Sequence, residues 1–112
     1  MAFFRQFMDE KKDSHVEDLD PAIIEKIKGW QKAKAYRLVV IPPGTFLDWH
    51  AAAGNNVIVT IQGEIEFGYT DGSTRVYKPG DMRMVYDTEG LGHKYKVLSE
   101  VPYIALMVDI SE

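Results

Sequence analysis

From residue 35 onward, short runs of β-branched and aromatic residues are cut apart by turn-forming residues at close intervals. The runs fall at 36–41, 46–50, 57–62, 64–69, 74–78, 83–86, 94–98 and 103–108. Between them stand Pro42-Pro43-Gly44, Asp71-Gly72, Lys78-Pro79-Gly80-Asp81 and Glu89-Gly90-Leu91-Gly92. Runs of this length and composition, bounded by Gly, Pro, Asn and Asp, read as strands. Asp71-Gly72 has a mechanism as a hairpin turn, because glycine takes positive φ without a steric clash. Eight short strands in so small a chain predict an all-β sandwich or barrel, in which closure protects the sheet edges.

The first third reads differently. Phe3, Phe4, Phe7 and Met8 recur at a helical spacing and are followed by the polar stretch Asp9 to Ser14. Asp20-Pro21 is a helix start, with Asp as N-cap and Pro at the first helical position. Ile23, Ile24, Ile27 and Trp30 then keep the helical period, which predicts a helix over 21–32. The expected organisation is a short N-terminal helical extension over 1–34 and a barrel over 35–112. His15, in a polar stretch, is expected in solvent.

At 112 residues there is room for one domain around one core. A net charge of −4 argues against nucleic acid as a partner, because phosphate recognition needs a clustered basic face. Lys26, Lys28, Lys32 and Lys34 form a local basic patch that reads as a solvated helix face. With no cysteine, disulfide and thiolate chemistry are excluded. No apolar run approaches the roughly 20 residues that span a bilayer, and the opening stretch is too short for a secretory signal. The expectation is a cytoplasmic protein that does not engage membranes.

The stretch from Gly44 to Gly63 holds His50, Ala52 and Asn56 between its two glycines. This spacing resembles the first motif of the cupin superfamily: a glycine, two histidines, a glutamate and a closing glycine in the same register. Asp71-Gly72, then Pro79-Gly80-Asp81, resemble the hairpin and following turn of small cupins. The segment from Asp87 to His93, with glycines at 90 and 92, resembles a variant second motif ending in a ligand histidine. The resemblance covers about residues 36 to 110 and implies a double-stranded β-helix, or jelly-roll, barrel with a site inside. It also implies a homodimer, since such proteins commonly pair. Two of the three metal-binding positions of the first motif are here an alanine and an asparagine, so the resemblance implies a depleted metal site.

Alternation along strands places side chains on faces. Asp48 and His50 share one face, as do Asn56, Ile58, Thr60 and Gln62, while His93 and Tyr95 oppose Lys94 and Lys96. If the cupin register holds, His50, Asn56 and His93 converge inside the barrel. The first functional expectation is a pocket for a small organic molecule without a tightly held metal. There His50 and His93 act as acid and base in proton transfer, isomerisation or cyclisation, with Asp48 orienting His50. The second is a mononuclear iron, zinc, nickel or manganese enzyme, an oxygenase or isomerase, using Asp48, His50 and His93 as a two-histidine, one-carboxylate set. The third is a metabolite-binding or sensor domain without catalysis. Arg83 shares its face with Val85 and either holds a substrate carboxylate from the inner face or makes a surface salt bridge. Asp87 reads as an organiser of its loop.

Overall fold

The computed structural model describes residues 2–111. All eight expected strands are present, with ends shifted by a residue or so, as is usual for fraying element boundaries. In chain order the elements are β1 (Phe3–Met8), β2 (Ser14–Asp18), α1 (Pro21–Ile27), β3 (Ala35–Ile41), β4 (Phe46–His50), β5 (Asn56–Gln62), β6 (Ile65–Tyr69), β7 (Thr74–Tyr77), β8 (Met82–Val85), β9 (His93–Val97) and β10 (Tyr103–Asp109). They form a six-stranded sheet in the order β2-β1-β8-β5-β10-β3 and a four-stranded sheet in the order β4-β9-β6-β7. Both are antiparallel except for the β1–β8 pair. This two-sheet jelly roll encloses its core between the inner faces.

Period-2 alternation decides what fills that core. Ile58 of β5, Ile65 and Phe67 of β6, Val85 of β8, and Tyr103 and Ala105 of β10 are all buried. Of the polar residues at inward positions, Thr60 is satisfied locally, its hydroxyl meeting the Tyr103 hydroxyl at 2.8 Å. On the opposite face of the large sheet, Leu38, Leu106 and Val59 are cross-strand neighbours, and Val40 lies opposite Ile104.

The N-terminal segment departs from expectation. Residues 3–8 are a strand, which pairs with β2 in a hairpin and lies parallel to β8, Phe4 opposite Arg83 and Gln6 opposite Val85. The helical spacing of Phe3, Phe4, Phe7 and Met8 is coincidental. Period 2 instead puts Phe4 and Gln6 into the interior, at 5% and 0% exposure. The free edge of β8 supplies hydrogen-bonding partners that no isolated helix would have, so tertiary pairing overrides local spacing. The hairpin therefore belongs to the large sheet, and the helical part of the extension is α1 alone. Asp20 caps α1 by accepting a 2.7 Å bond from the Ala22 amide. The helix stops at Ile27 rather than 32 because Lys28 is already extended and Gly29 turns through φ +95°. Trp30 is then left fully exposed, past the last turn. No helix among the described residues is long and apolar enough to cross a membrane.

Candidate functional site

A cavity of about 530 Å³ opens between the two sheets. Its wall is mostly apolar, including Ile58, Phe67, Tyr95 and Met107, and its polar groups include His50, Asn56, Arg83 and His93, with Arg37 and Asp109 also on the lining. An apolar chamber of this size with a few convergent polar groups is the usual form of a small-molecule site.

Strand pairing brings the two histidines together. His50 at the end of β4 lies opposite His93 at the start of β9, and their rings meet edge to face with centroids 4.5 Å apart. The approach depends on Gly92. Its φ is +73°, and a Cβ at that position would stand 2.0 Å from the His50 carbonyl oxygen. Only glycine lets the loop before β9 press so closely on the end of β4. The Ala52 amide holds the same loop by donating to the Asp87 carbonyl at 3.1 Å.

Asp87 and His93 are both buried, and the Asp87 Oδ2 lies 2.6 Å from the His93 Nδ1. The Gln6 Nε2 donates to the other Asp87 oxygen at 2.9 Å and lies 2.8 Å from the same Nδ1. A carboxylate only accepts and an amide NH2 only donates. The consistent arrangement is therefore Asp87 taking one proton from His93 Nδ1–H and one from Gln6, with the Gln6–His93 approach a contact between two donors that share one acceptor group. Gln6 Oε1 accepts from the Tyr69 hydroxyl at 2.7 Å, and the Tyr69 and Tyr77 hydroxyls lie 2.6 Å apart. The chain Tyr77–Tyr69–Gln6–Asp87–His93 is thus a buried polar network with each member satisfied.

With Nδ1 protonated, the His93 Nε2 carries the lone pair. Burial pushes the His93 pKa below its ordinary value, and although the Asp87 hydrogen bond and charge pull it back, His50 and Arg83 add to the lowering. His93 is therefore a neutral base at neutral pH. Burial pushes the Tyr69 and Tyr77 hydroxyls up, so both stay protonated donors. His50, half-buried, donates its Nδ1–H to the Asp48 carbonyl at 2.8 Å, which leaves its own Nε2 free to accept.

Several expected site residues are placed otherwise. Asp48 does not orient His50 with its carboxylate: that group accepts from the Trp49 amide at 2.9 Å, in a residue exposed to solvent. The β4–β9 register slips between Leu47 and His50, so simple alternation fails there and Asp48 and His50 no longer share an environment. Asn56 and Ile58 line the cavity, as do Arg83 and Tyr95. Thr60 is committed to Tyr103, and Gln62 donates to the Pro102 carbonyl at 3.0 Å; neither lines the chamber. Arg83 is 5% exposed and makes no salt bridge among the described residues. Gln6 and Asp87 hold the site together without having been singled out for it. For Asp87 the available signal was its place in the loop leading to His93; for Gln6 there was none beyond alternation along Phe3–Met8.

No protein-family model and no curated protein matches the sequence. Solved structures do. A cupin domain from Bordetella pertussis superposes with a TM-score of 0.56 at 18% identity, covering 76% of this chain and 88% of that one. The chain has the cupin fold. A cupin-2 domain protein from Shewanella frigidimarina matches with a TM-score of 0.51 at 14% identity, over 82% of this chain and 93% of that one. A protein from Neisseria meningitidis matches with a TM-score of 0.50 at 18% identity, over 80% and 94%.

Within this cupin barrel the donor set does not fit a resident divalent metal. Such a site takes three good protein ligands. Ala52 offers none, and Asn56 offers only a neutral amide oxygen, a weaker ligand than an imidazole or a carboxylate, while its Nδ2 donates to the Gly54 carbonyl at 2.9 Å. Among the described residues no group of three or more His, Cys, Asp or Glu is placed to hold a metal ion. The set of Asp48, His50 and His93 is therefore not assembled, and the two imidazoles stand without a third ligand.

Proposed function

We propose that this cupin barrel binds a small organic molecule and moves a proton on it, with His93 Nε2 as the base. The observation that carries this is the buried 2.6 Å pair of Asp87 and His93 at the wall of the chamber. The carboxylate fixes the tautomer and stabilises the imidazolium formed when Nε2 accepts a proton. The group that gives up the proton is a C–H next to a carbonyl. Its electron pair is retained as an enolate, and the proton returns to a different position or face, giving isomerisation with no co-reactant. The His93 imidazolium returns the proton from Nε2, which regenerates the base, and His50, with its ring 4.5 Å from that of His93, lines the same end of the chamber.

The test is exchange in D2O. A panel of small carbonyl compounds is incubated with the protein and followed by proton NMR. Loss of an α-proton signal with wild type, slowed about a hundredfold or more in His93→Gln, is the expected result. Saturable binding with no exchange in wild type would make the barrel a passive metabolite-binding domain.

A second copy of the chain is the proposed partner. The free edge strand β3 carries Leu38 and Val40 at 62% and 61% exposure, next to β10 in the same sheet. Two such edges related by a two-fold axis present the same side chains to each other, which is the geometry of an isologous dimer.

A further inference from the structure

The chamber also contains a charge that the described residues leave unanswered. Arg83 stands on β8 in the large sheet, opposite Ile58 of β5 and Phe4 of β1. It is 5% exposed and lines the cavity. Its guanidinium carbon lies 3.8 Å from the centre of the Phe67 ring and 4.6 Å from that of Tyr77. Its Nε and Nη1 have no hydrogen-bond partner among the described residues, and no carboxylate comes within ion-pair distance. The buried carboxylate nearest in function, Asp87, is already engaged by His93 and Gln6.

An arginine stays protonated in a protein, so burial cannot neutralise it. A buried charge is ordinarily paired, and the two aromatic faces offset only part of its lost hydration. The groups around it do not supply the missing anion, because Tyr69, Tyr77 and Tyr95 are all pushed toward their protonated forms by burial and His93 is neutral. Asp109, a carboxylate that also lines the chamber, makes no ion pair with Arg83 among the described residues and accepts from the Ser111 amide at 2.8 Å. A guanidinium with free N–H groups matches a carboxylate in both charge and shape.

We infer that the chamber takes a small organic acid whose carboxylate pairs with Arg83. This rests on the proton-transfer reading above only for what happens at the other end of the molecule. Arg83 belongs to the six-stranded sheet and His93 to the four-stranded one, and both flank Phe67, whose ring centre is 5.2 Å from that of His93. A ligand anchored by its carboxylate on one sheet thus directs its carbon skeleton toward the imidazole on the other. The chamber of about 530 Å³ suits an acid of metabolite size.

Two measurements test the assignment. The first compares binding of a panel of carboxylic acids of varied chain length, each beside its primary amide, to wild type, Arg83→Met and His93→Gln. Wild type is expected to prefer at least one acid over its amide by about tenfold to a hundredfold. Arg83→Met should abolish the preference, and His93→Gln should keep it. Equal binding of acids and amides, binding of no acid in the panel, or a preference that survives in Arg83→Met overturns the inference. The second is thermal unfolding without ligand. If Arg83 is there for a ligand, Arg83→Met, which keeps the stem and removes the charge, melts no lower than wild type; a clear drop means that the guanidinium is structural and overturns the inference. The two proposals fail separately. Acid preference without α-proton exchange removes the base, whereas exchange without acid preference removes the anchor.

Discussion

Asp87 and His93 are six residues apart in sequence and form a buried pair 2.6 Å apart, with Gln6 of the N-terminal hairpin closing the other side of the carboxylate. The pair depends on parts of the chain that meet only when the barrel closes. The Tyr86 amide donates to the Gln6 carbonyl at 2.7 Å, so β1 holds both the backbone and the carboxylate of the segment that leads to His93.

Replacing Asp87 with Asn removes the group that raises the His93 pKa against burial. The His93 pKa should fall further below its ordinary value, and any α-proton exchange should slow by at least tenfold. Histidine-detected NMR titration measures the first effect. An unchanged His93 titration in Asp87→Asn would show that the pair does not couple.

Gly92→Ala should be costly. The new Cβ meets the His50 carbonyl at 2.0 Å in a backbone with φ +73°, so either the loop or β4 must move. A loss of about 2 kcal/mol or more in denaturant unfolding is expected, together with wider separation of the two imidazoles. A wild-type midpoint in this variant would contradict the close approach.

Two histidines should bend the stability–pH curve in opposite senses. The His15 pKa is raised by its hydrogen bond to Asp9, with burial opposing and Asp71 adding to the rise. Its stabilising contribution is present in full below the unfolded value of about 6.5 and is lost as pH rises through the higher folded value. The His93 pKa is lowered by burial. Its destabilising effect is absent above the unfolded value and grows as pH falls below it. The Asp71→Asn change should therefore weaken the loss of stability on going from mildly acidic to mildly alkaline pH. His93→Gln should instead weaken the loss on going below pH about 6. Unfolding midpoints measured across that range separate the two. Identical curves for all three proteins would exclude both couplings.

Leu38→Lys combined with Val40→Lys should leave the fold intact and shift the sedimenting species to a monomer. Both side chains are exposed on an edge strand, so the folded chain itself has little to lose. A wild-type sedimentation profile would move the dimer interface elsewhere.

The strands after residue 35 were legible because their signals are local: β-branched runs, Asp71-Gly72, and the Pro-Gly turns each act within a few residues. The placement of His50 and His93 in one chamber followed from the motif register and holds in the geometry. Three features were not legible, each for a non-local reason. Phe3–Met8 fits a helical spacing and becomes a strand only because β8 offers an edge. Asp48 leaves the face of His50 because the β4–β9 register slips between Leu47 and His50. Gln6 is buried at 0% exposure because its partners Asp87 and Tyr69 lie many tens of residues away and complete its hydrogen bonds. Arg83 was legible as a choice between surface and interior, and burial decides it.

The most direct test of the account is the tautomer of His93, read from long-range proton–nitrogen NMR correlations at neutral pH, with His93→Gln for assignment. The expected result is a neutral ring protonated on Nδ1, bonded to Asp87, with an unprotonated Nε2 and a titration below the ordinary histidine value. A ring protonated on Nε2, or an imidazolium persisting at neutral pH, would remove the base from the chamber and contradict the proposed proton transfer.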